Sequence, residues 1–127
     1  AALRAAEQIT SAEVSVFISH HHVRDVLEAA WRAFKRMKMR HTRRRNEVLI
    51  FVAPASQKFA IVGDVAVHAY FGQAAWHALA TELGEHFART EFTEGMIRVI
   101  DAIGEKLARP FPPEQDENEL PDEIARD

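Results

Sequence analysis

Two acidic residues at strand ends are the first candidates for chemistry in this sequence. Glu13 opens an alternating apolar run, and Asp64 directly follows another β-rich run that we expect to be oriented the opposite way. The start of one strand and the end of an oppositely directed strand lie at one edge of a sheet, so the two carboxylates should meet there. Carboxylate and carbonyl oxygens are the ligands that Ca²⁺ and Mg²⁺ prefer. An alternative stays open, in which each acid caps a helix or pairs with an arginine of residues 40–45.

The other reactive residue types form no recognisable catalytic motif. The sequence has no cysteine, which excludes disulfides, thiolate nucleophiles and cysteine-ligated metals. The run His20-His21-His22 falls between a strand and a helix, where neighbouring side chains diverge, and we expect a solvated loop there. No HExxH pattern, no GxSxG turn and no glycine-rich phosphate loop is present.

A basic segment lies in the first half of the chain. Residues 32–45 contain eight lysines or arginines and no acid. From this segment we predict a basic surface patch, formed by Arg36, Lys38, Arg40, Arg43, Arg44 and Arg45. Aromatic residues are not interleaved with these charges and the pI is about 6.2, so a solvated helix end is favoured over a nucleic-acid site. A protein partner of unknown identity is the remaining expectation for this patch.

The elements that must position these residues follow from hydrophobic periodicity. Residues 13–20 alternate as a strand, and residues 23–37 carry an apolar stripe at offsets 0, 3, 4, 7, 11 and 14, which predicts a helix. Residues 48–53 form a continuous apolar run typical of a buried strand, and Pro54 separates it from a further strand at residues 59–62. Two amphipathic helices follow, around residues 76–87 and 96–107. An opening helix is also predicted over residues 1–9.

This order of elements predicts a fold class. A strand, a helix and a second strand form one right-handed βαβ unit, and the following hairpin adds an antiparallel strand. Helices must cover both faces of a sheet this small and apolar. We therefore predict a three-layer α/β/α sandwich with a small mixed β-sheet flanked by helices.

Length and charge define the predicted domain and its tail. With 127 residues, 47% of them hydrophobic and 28% charged, the chain has the size and balance of one soluble globular domain. Residues 1–113 carry a net charge of +3, whereas residues 114–127 carry −6. We predict a domain over 1–113 and an acidic C-terminal tail over 114–127, with Leu120 and Ile124 as apolar anchors that would let it dock.

Composition also bears on the expected location of the protein. No apolar run approaches the roughly 20 residues that span a bilayer, and no signal-peptide pattern is seen, so we expect no membrane insertion by this chain. The lack of cysteine fits a reducing compartment, and a cytoplasmic location is the expectation, with a periplasmic or membrane-associated context left open.

Four stretches, taken in order, resemble the TPM-domain family, and within it the soluble bacterial branch with a closing NELPDEI-type signature. They are TSAEV at 10–14, HTRRRNEVLI at 41–50, FAIVGD at 59–64 and NELPDEI at 118–124. The chain departs from the family pattern at Glu47, where relatives usually carry glycine, and at residues 65–68, where many are glycine-rich.

The resemblance implies an α/β/α sandwich that binds divalent cations. It also implies a link to acid-phosphatase activity, which is associated with thylakoid-lumen relatives tied to photosystem II repair. By this resemblance Glu13 and Asp64 match recurring acids and Asn46 matches an asparagine motif, so these three residues are the predicted metal ligands. Glu94 and Asp101 are weaker candidates to complete the site.

Three functional hypotheses follow. The first is a small TPM-type domain that binds Ca²⁺ or Mg²⁺ at the carboxylates. The second makes the same site a metal-dependent, acid phosphatase-like hydrolase, in which the metal polarises a phosphoryl oxygen and a carboxylate such as Asp64 orients water or attacks. The third is an interaction module that works through its charged surfaces.

Overall fold

A mixed β-sheet, four-stranded over the described residues, organises the protein. The computed structural model describes residues 10, 12–37, 46–112 and 125–126. The strands are β1 (Glu13–Ile18), β2 (Glu47–Ala53), β3 (Lys58–Gly63) and β4 (Ala125–Arg126), in the order β3-β2-β1-β4. The α-helices are α1 (Val26–Arg36), α2 (Val65–Ala88) and α3 (Phe92–Leu107).

The central strand pairs confirm the predicted βαβ unit and hairpin. Strands β1 and β2 are parallel, in a register that runs from Glu13 opposite Glu47 to Ile18 opposite Val52. Strand β3 is antiparallel to β2. A 3-10 turn at Pro54–Ser56 joins them, and Gln57 takes a left-handed conformation (φ 53°) that allows the chain to reverse.

Helix α1 covers one face of the sheet. It begins at Val26, three residues later than the stripe predicted, because Asp25 caps it: the Glu28 N–H donates to Asp25 Oδ1 at 3.1 Å. Its buried residues, Ala30, Ala33 and Phe34, lie against apolar side chains of the strands.

Helices α2 and α3 form a hairpin over the opposite face. Helix α2 starts directly after β3 and is kinked at Gly72 (φ 78°), a conformation that glycine adopts without strain. Trp76 packs so closely on β3 that a Cβ built on Gly63 would lie 2.7 Å from the indole ring. Glycine at position 63 therefore lets the helix approach the sheet.

The core is divided into two halves by the sheet. One half joins Val16, Val48 and Ile50 to α2 and α3, and the other joins Phe17, Leu49 and neighbouring residues to α1. Helices on both faces of a mixed sheet confirm the predicted three-layer α/β/α sandwich.

Residues near the two ends of the chain contact the sheet and the last helix. The Thr10 hydroxyl lies 3.0 Å from the Leu107 carbonyl and 2.6 Å from that of Phe111, joining the entry to β1 with the end of α3. Strand β4 pairs in parallel with β1, with Ala125 opposite Phe17. The predicted opening helix lies outside the described residues. In the part of the chain that the structure describes, no helix is both long and apolar enough to cross a membrane.

Candidate functional site

The predicted metal ligands lie at one edge of the sheet, which we call the carboxylate edge (Glu13, Asn46, Glu47 and Asp64). The Glu13 N–H donates to the Asn46 carbonyl at 3.2 Å, and Glu13 lies opposite Glu47 in the β1–β2 register. On the other side of β2, the Asp64 N–H donates to the Glu47 carbonyl at 2.9 Å. The strands therefore bring the three predicted ligands, Glu13, Asn46 and Asp64, to the same edge.

Glu47 lies between the two predicted acids and was not predicted as a ligand. Adjacent strands are about 4.8 Å apart, so the backbones of Glu13 and Asp64 are separated by roughly twice that distance, with Glu47 between them. One sequence feature points to Glu47: it lies directly before the apolar run 48–53, as Glu13 lies directly before the apolar residues of its own strand. Three acids on three neighbouring chain segments therefore lie at this edge, with Glu47 between the two predicted acids.

The carboxylate edge is largely withdrawn from solvent. Glu47 is 0% exposed, Asn46 is 2% exposed and Asp64 is 3% exposed, while Glu13 is partly buried. Moving a carboxylate out of water is costly unless a positive charge or hydrogen-bond donors compensate it. Carboxylates buried to this extent require compensation by hydrogen-bond donors or by a positive charge.

Glu13 and Glu47 share the face of the sheet that α1 covers. Side chains alternate along a strand, and Phe17 and Leu49, at even spacing from these two acids, belong to the core half beneath α1. Residues opposite each other in a register project to the same side, so both carboxyl groups lie at the end of this face.

Asp64 also has a structural role that the sequence left open. Its Oδ1 accepts the Val65 N–H at 2.8 Å, and its carbonyl accepts the His68 N–H at 2.9 Å, so Asp64 caps the start of α2. The helix-cap alternative is thus realised for this acid. A carboxylate that caps a helix through one oxygen can still bind a cation through the other.

The described side chains do not form a completed ligand set. Over the described ranges, no group of three or more histidine, aspartate or glutamate side chains is arranged to hold a metal ion. The weaker candidates Glu94 and Asp101 are both exposed on α3, in the helix layer on the other face of the sheet from Glu13 and Glu47. Metal binding at the carboxylate edge stays a prediction.

Of the predicted basic patch, only Arg36 lies within the described part of the chain. It is exposed at the end of α1, and its guanidinium carbon is 5.8 Å from the centre of the Phe17 ring. Lys38, Arg40, Arg43, Arg44 and Arg45 lie outside the described residues, as does most of the predicted acidic tail.

A second polar cluster forms the turn between α2 and α3. Glu91 Oε1 is 3.0 Å from His86 Nδ1 and accepts a hydrogen bond from Arg89 Nε, also at 3.0 Å. The His86 hydrogen bond, and then the Arg89 hydrogen bond, hold the pKa of Glu91 below its ordinary value. Gly95 allows this packing, because a Cβ there would lie 2.6 Å from that of His86. The cluster stabilises the turn that joins α2 and α3.

Comparison with known proteins identifies a matching family model and solved structures of similar fold. A family model described as the TPM domain matches residues 1–106. The NMR structure of the BA42 protein from the psychrophilic bacterium Bizionia argentinensis is 31% identical in sequence, with a TM-score of 0.90 over 99% of this chain and 88% of that one. The N-terminal domain of a P. gingivalis protein, at 12% identity, has the same fold, with a TM-score of 0.73 over 92% of this chain and 76% of that one. No curated protein matches the sequence.

Proposed function

The chain belongs to the TPM domain family, and from this membership we propose that it binds a divalent cation, Ca²⁺ or Mg²⁺, at the carboxylate edge. One observation carries the proposal: the strand register sets Glu13, Glu47 and Asp64 side by side on three neighbouring segments. Carboxylate oxygens of this kind, with amide and backbone carbonyl oxygens, are the donors that hard divalent cations select. Asn46 supplies a side-chain amide and a backbone carbonyl at the same edge.

The chemistry of the donors fits a hard cation, but their arrangement is not preorganised. Since no described group of three acidic or histidine side chains is already arranged around one point, Glu13 and Glu47 must turn toward a shared ion. A site that must rearrange binds weakly, and we expect a dissociation constant of about 10⁻⁴–10⁻³ M.

Calorimetric titration of the full chain with Ca²⁺ and with Mg²⁺ tests the proposal. At a free ion concentration of about ten times Kd, binding stabilises the folded state by about 1.4 kcal/mol, which raises Tm by roughly 5 °C for a domain of this size. Absence of both heat and a Tm shift at about 10 mM of either ion would show that the proposal is wrong.

Two substitutions separate metal binding from the capping role. Asp64→Asn keeps a good helix cap but removes a charge, and Glu13→Gln removes a charge from a partly buried position. We expect each to weaken cation binding at least about tenfold, or about 1.4 kcal/mol. Asp101→Asn is the matched control, because it removes a charge from an exposed site on α3. An equal loss in that control would assign the effect to net charge.

Acid phosphatase-like hydrolysis stays a prediction from the family resemblance. It requires, besides the cation, a group that attacks the phosphorus or orients water. Asp64 was the candidate for that role, and one of its oxygens accepts the helix-capping hydrogen bond. The cation-binding measurement is independent of any turnover and can succeed when hydrolysis is absent.

A further inference from the structure

A groove runs beside α1, away from the carboxylates. It has a volume of about 430 Å³, and its floor contains Phe17 and Phe51, whose rings are stacked with centroids 5.6 Å apart. Helix α1 packs mainly on β2 and β3, so this groove lies on the β1 side of the helix. Glu28, Arg32 and Arg36, spaced four residues apart along one helix face, form its wall.

Three arginines give the groove its charge. Arg24 lies before α1, and Arg32 and Arg36 follow on the helix, all three lining the groove and all exposed to solvent. Arg36 lies over the Phe17 ring. When a guanidinium stacks on a ring through its face, the N–H donors in its plane stay available to other acceptors. These donors match the two oxygens of a carboxylate in a bidentate hydrogen bond.

The acids of the groove are engaged within α1. Asp25 caps the helix by accepting the Glu28 N–H, and the Glu28 carboxylate pairs with Arg32. The side chain of Glu28 is 57% exposed and that of Arg32 is 69% exposed. Exposed ion pairs of this type contribute little to the free energy of folding. An incoming carboxylate can therefore share or replace Glu28 as the partner of Arg32.

We infer that this basic groove binds an acidic peptide segment of a partner protein. Helix α1 has 11 residues and is about 16 Å long, which matches about five residues of an extended chain at 3.3 Å each. Carboxylates spaced along such a segment reach Arg24, Arg32 and Arg36 in turn.

Charge distribution favours a peptide over a nucleic acid. A phosphate backbone carries a negative charge at every nucleotide and would meet Asp25 and Glu28 on the same wall. Nucleic-acid-binding domains also carry excess positive charge, whereas this chain has a net charge of −3. A peptide can place neutral residues opposite the two acids.

Fluorescence anisotropy with a labelled peptide of about eight residues, in which glutamates alternate with alanines, tests the inference on the full chain. We expect saturable binding that weakens as salt rises. Arg32→Glu and Arg36→Glu should each weaken binding about tenfold, whereas Lys35→Glu should change it less than about twofold. Lys35 is the matched control because it is exposed on the same helix, carries the same charge and does not line the groove.

A variant with reversed charge distinguishes loss of binding from loss of the fold. The double variant Arg32→Glu with Arg36→Glu should bind a lysine-rich peptide that the unchanged protein does not bind. The inference is overturned if Lys35→Glu loses as much affinity as Arg32→Glu, or if a single-stranded oligonucleotide of equal charge binds as tightly. It is also overturned if the glutamate peptide binds only after Glu114, Asp116 and Glu117 are neutralised, since the chain itself would then supply the occupant.

Discussion

Asp64 shows how one residue can serve both the fold and the site. Its backbone N–H donates to the Glu47 carbonyl and so extends the pairing of β3 with β2 by one residue. Its side chain caps the start of α2, which follows directly. The cap supplies an acceptor for the Val65 N–H at the helix start, which has no partner within the helix, and Asp64 itself is only 3% exposed. A carboxylate placed by two strands and a helix is held firmly at the carboxylate edge.

The capping role predicts a difference between two substitutions at this position. Asp64→Ala removes the acceptor of the Val65 N–H and should lower the free energy of unfolding by about 1 kcal/mol, whereas Asp64→Asn should cost only a few tenths. Urea denaturation in the presence of a chelator measures both without a contribution from bound cation. Equal destabilisation by the two variants would mean that the charge, and not the cap, is what the fold uses.

At the residue scale, the sequence was sufficient to predict that Glu13 and Asp64 lie at one edge of the sheet, because strand direction follows from the order of the elements. It was not sufficient to identify Glu47 as their neighbour. The parallel pairing of β1 with β2 joins residues 34 positions apart, and its register depends on how both strands pack under α1. Periodicity within one strand carries no information about that register.

At the scale of elements, α2 differs most from its prediction. The sequence indicated a helix around residues 76–87, while α2 begins at Val65 and is kinked at Gly72. The kink at Gly72 interrupts the helical period, so the sequence spacing before it does not continue the apolar stripe that starts at Trp76. The cap at Asp64 explains why a helix nevertheless starts there.

The turn between α2 and α3 gives the fold a defined dependence on pH. Hydrogen bonds from His86 and Arg89 hold the pKa of Glu91 below its value in the unfolded chain, so the ionised form is favoured in the folded state. Glu91 therefore adds stability that is fully present above the unfolded pKa and is lost as the pH falls through the folded pKa. The unfolding free energies of the unchanged protein and Glu91→Gln should differ by a constant amount at neutral pH and converge in acid.

Urea denaturation between about pH 3 and pH 7 measures this convergence. Glu94→Gln is the matched control, since it neutralises an exposed acid in the first turn of α3. A difference curve of the same shape for Glu94→Gln would show that general charge effects, and not the contacts of Glu91, produce the pH dependence.

At the scale of the whole molecule, the sheet is completed by residues from the far end of the sequence. Strand β4 lies more than a hundred residues after β1 and pairs with its outer edge at Phe17 and Ile18. An acidic, proline-containing sequence precedes β4 and gives no strand pattern, which is why this fourth strand was not predicted. Pairing over such a distance is decided by the finished surface of the domain and not by local propensity.

This pairing makes the stability of the domain depend on its last residues. Deleting residues 125–127 removes the partner of β1 at Phe17 and Ile18, and we expect a loss of about 1–2 kcal/mol together with concentration-dependent association through the uncovered strand edge. Thermal unfolding and sedimentation velocity measure the two effects. Arg126→Ala keeps the β4 backbone while removing an exposed side chain, so it should stay within about 0.5 kcal/mol of the unchanged protein and remain monodisperse at matched concentration. Equal behaviour of the deletion and Arg126→Ala would mean that the backbone pairing of β4 contributes no measurable stability.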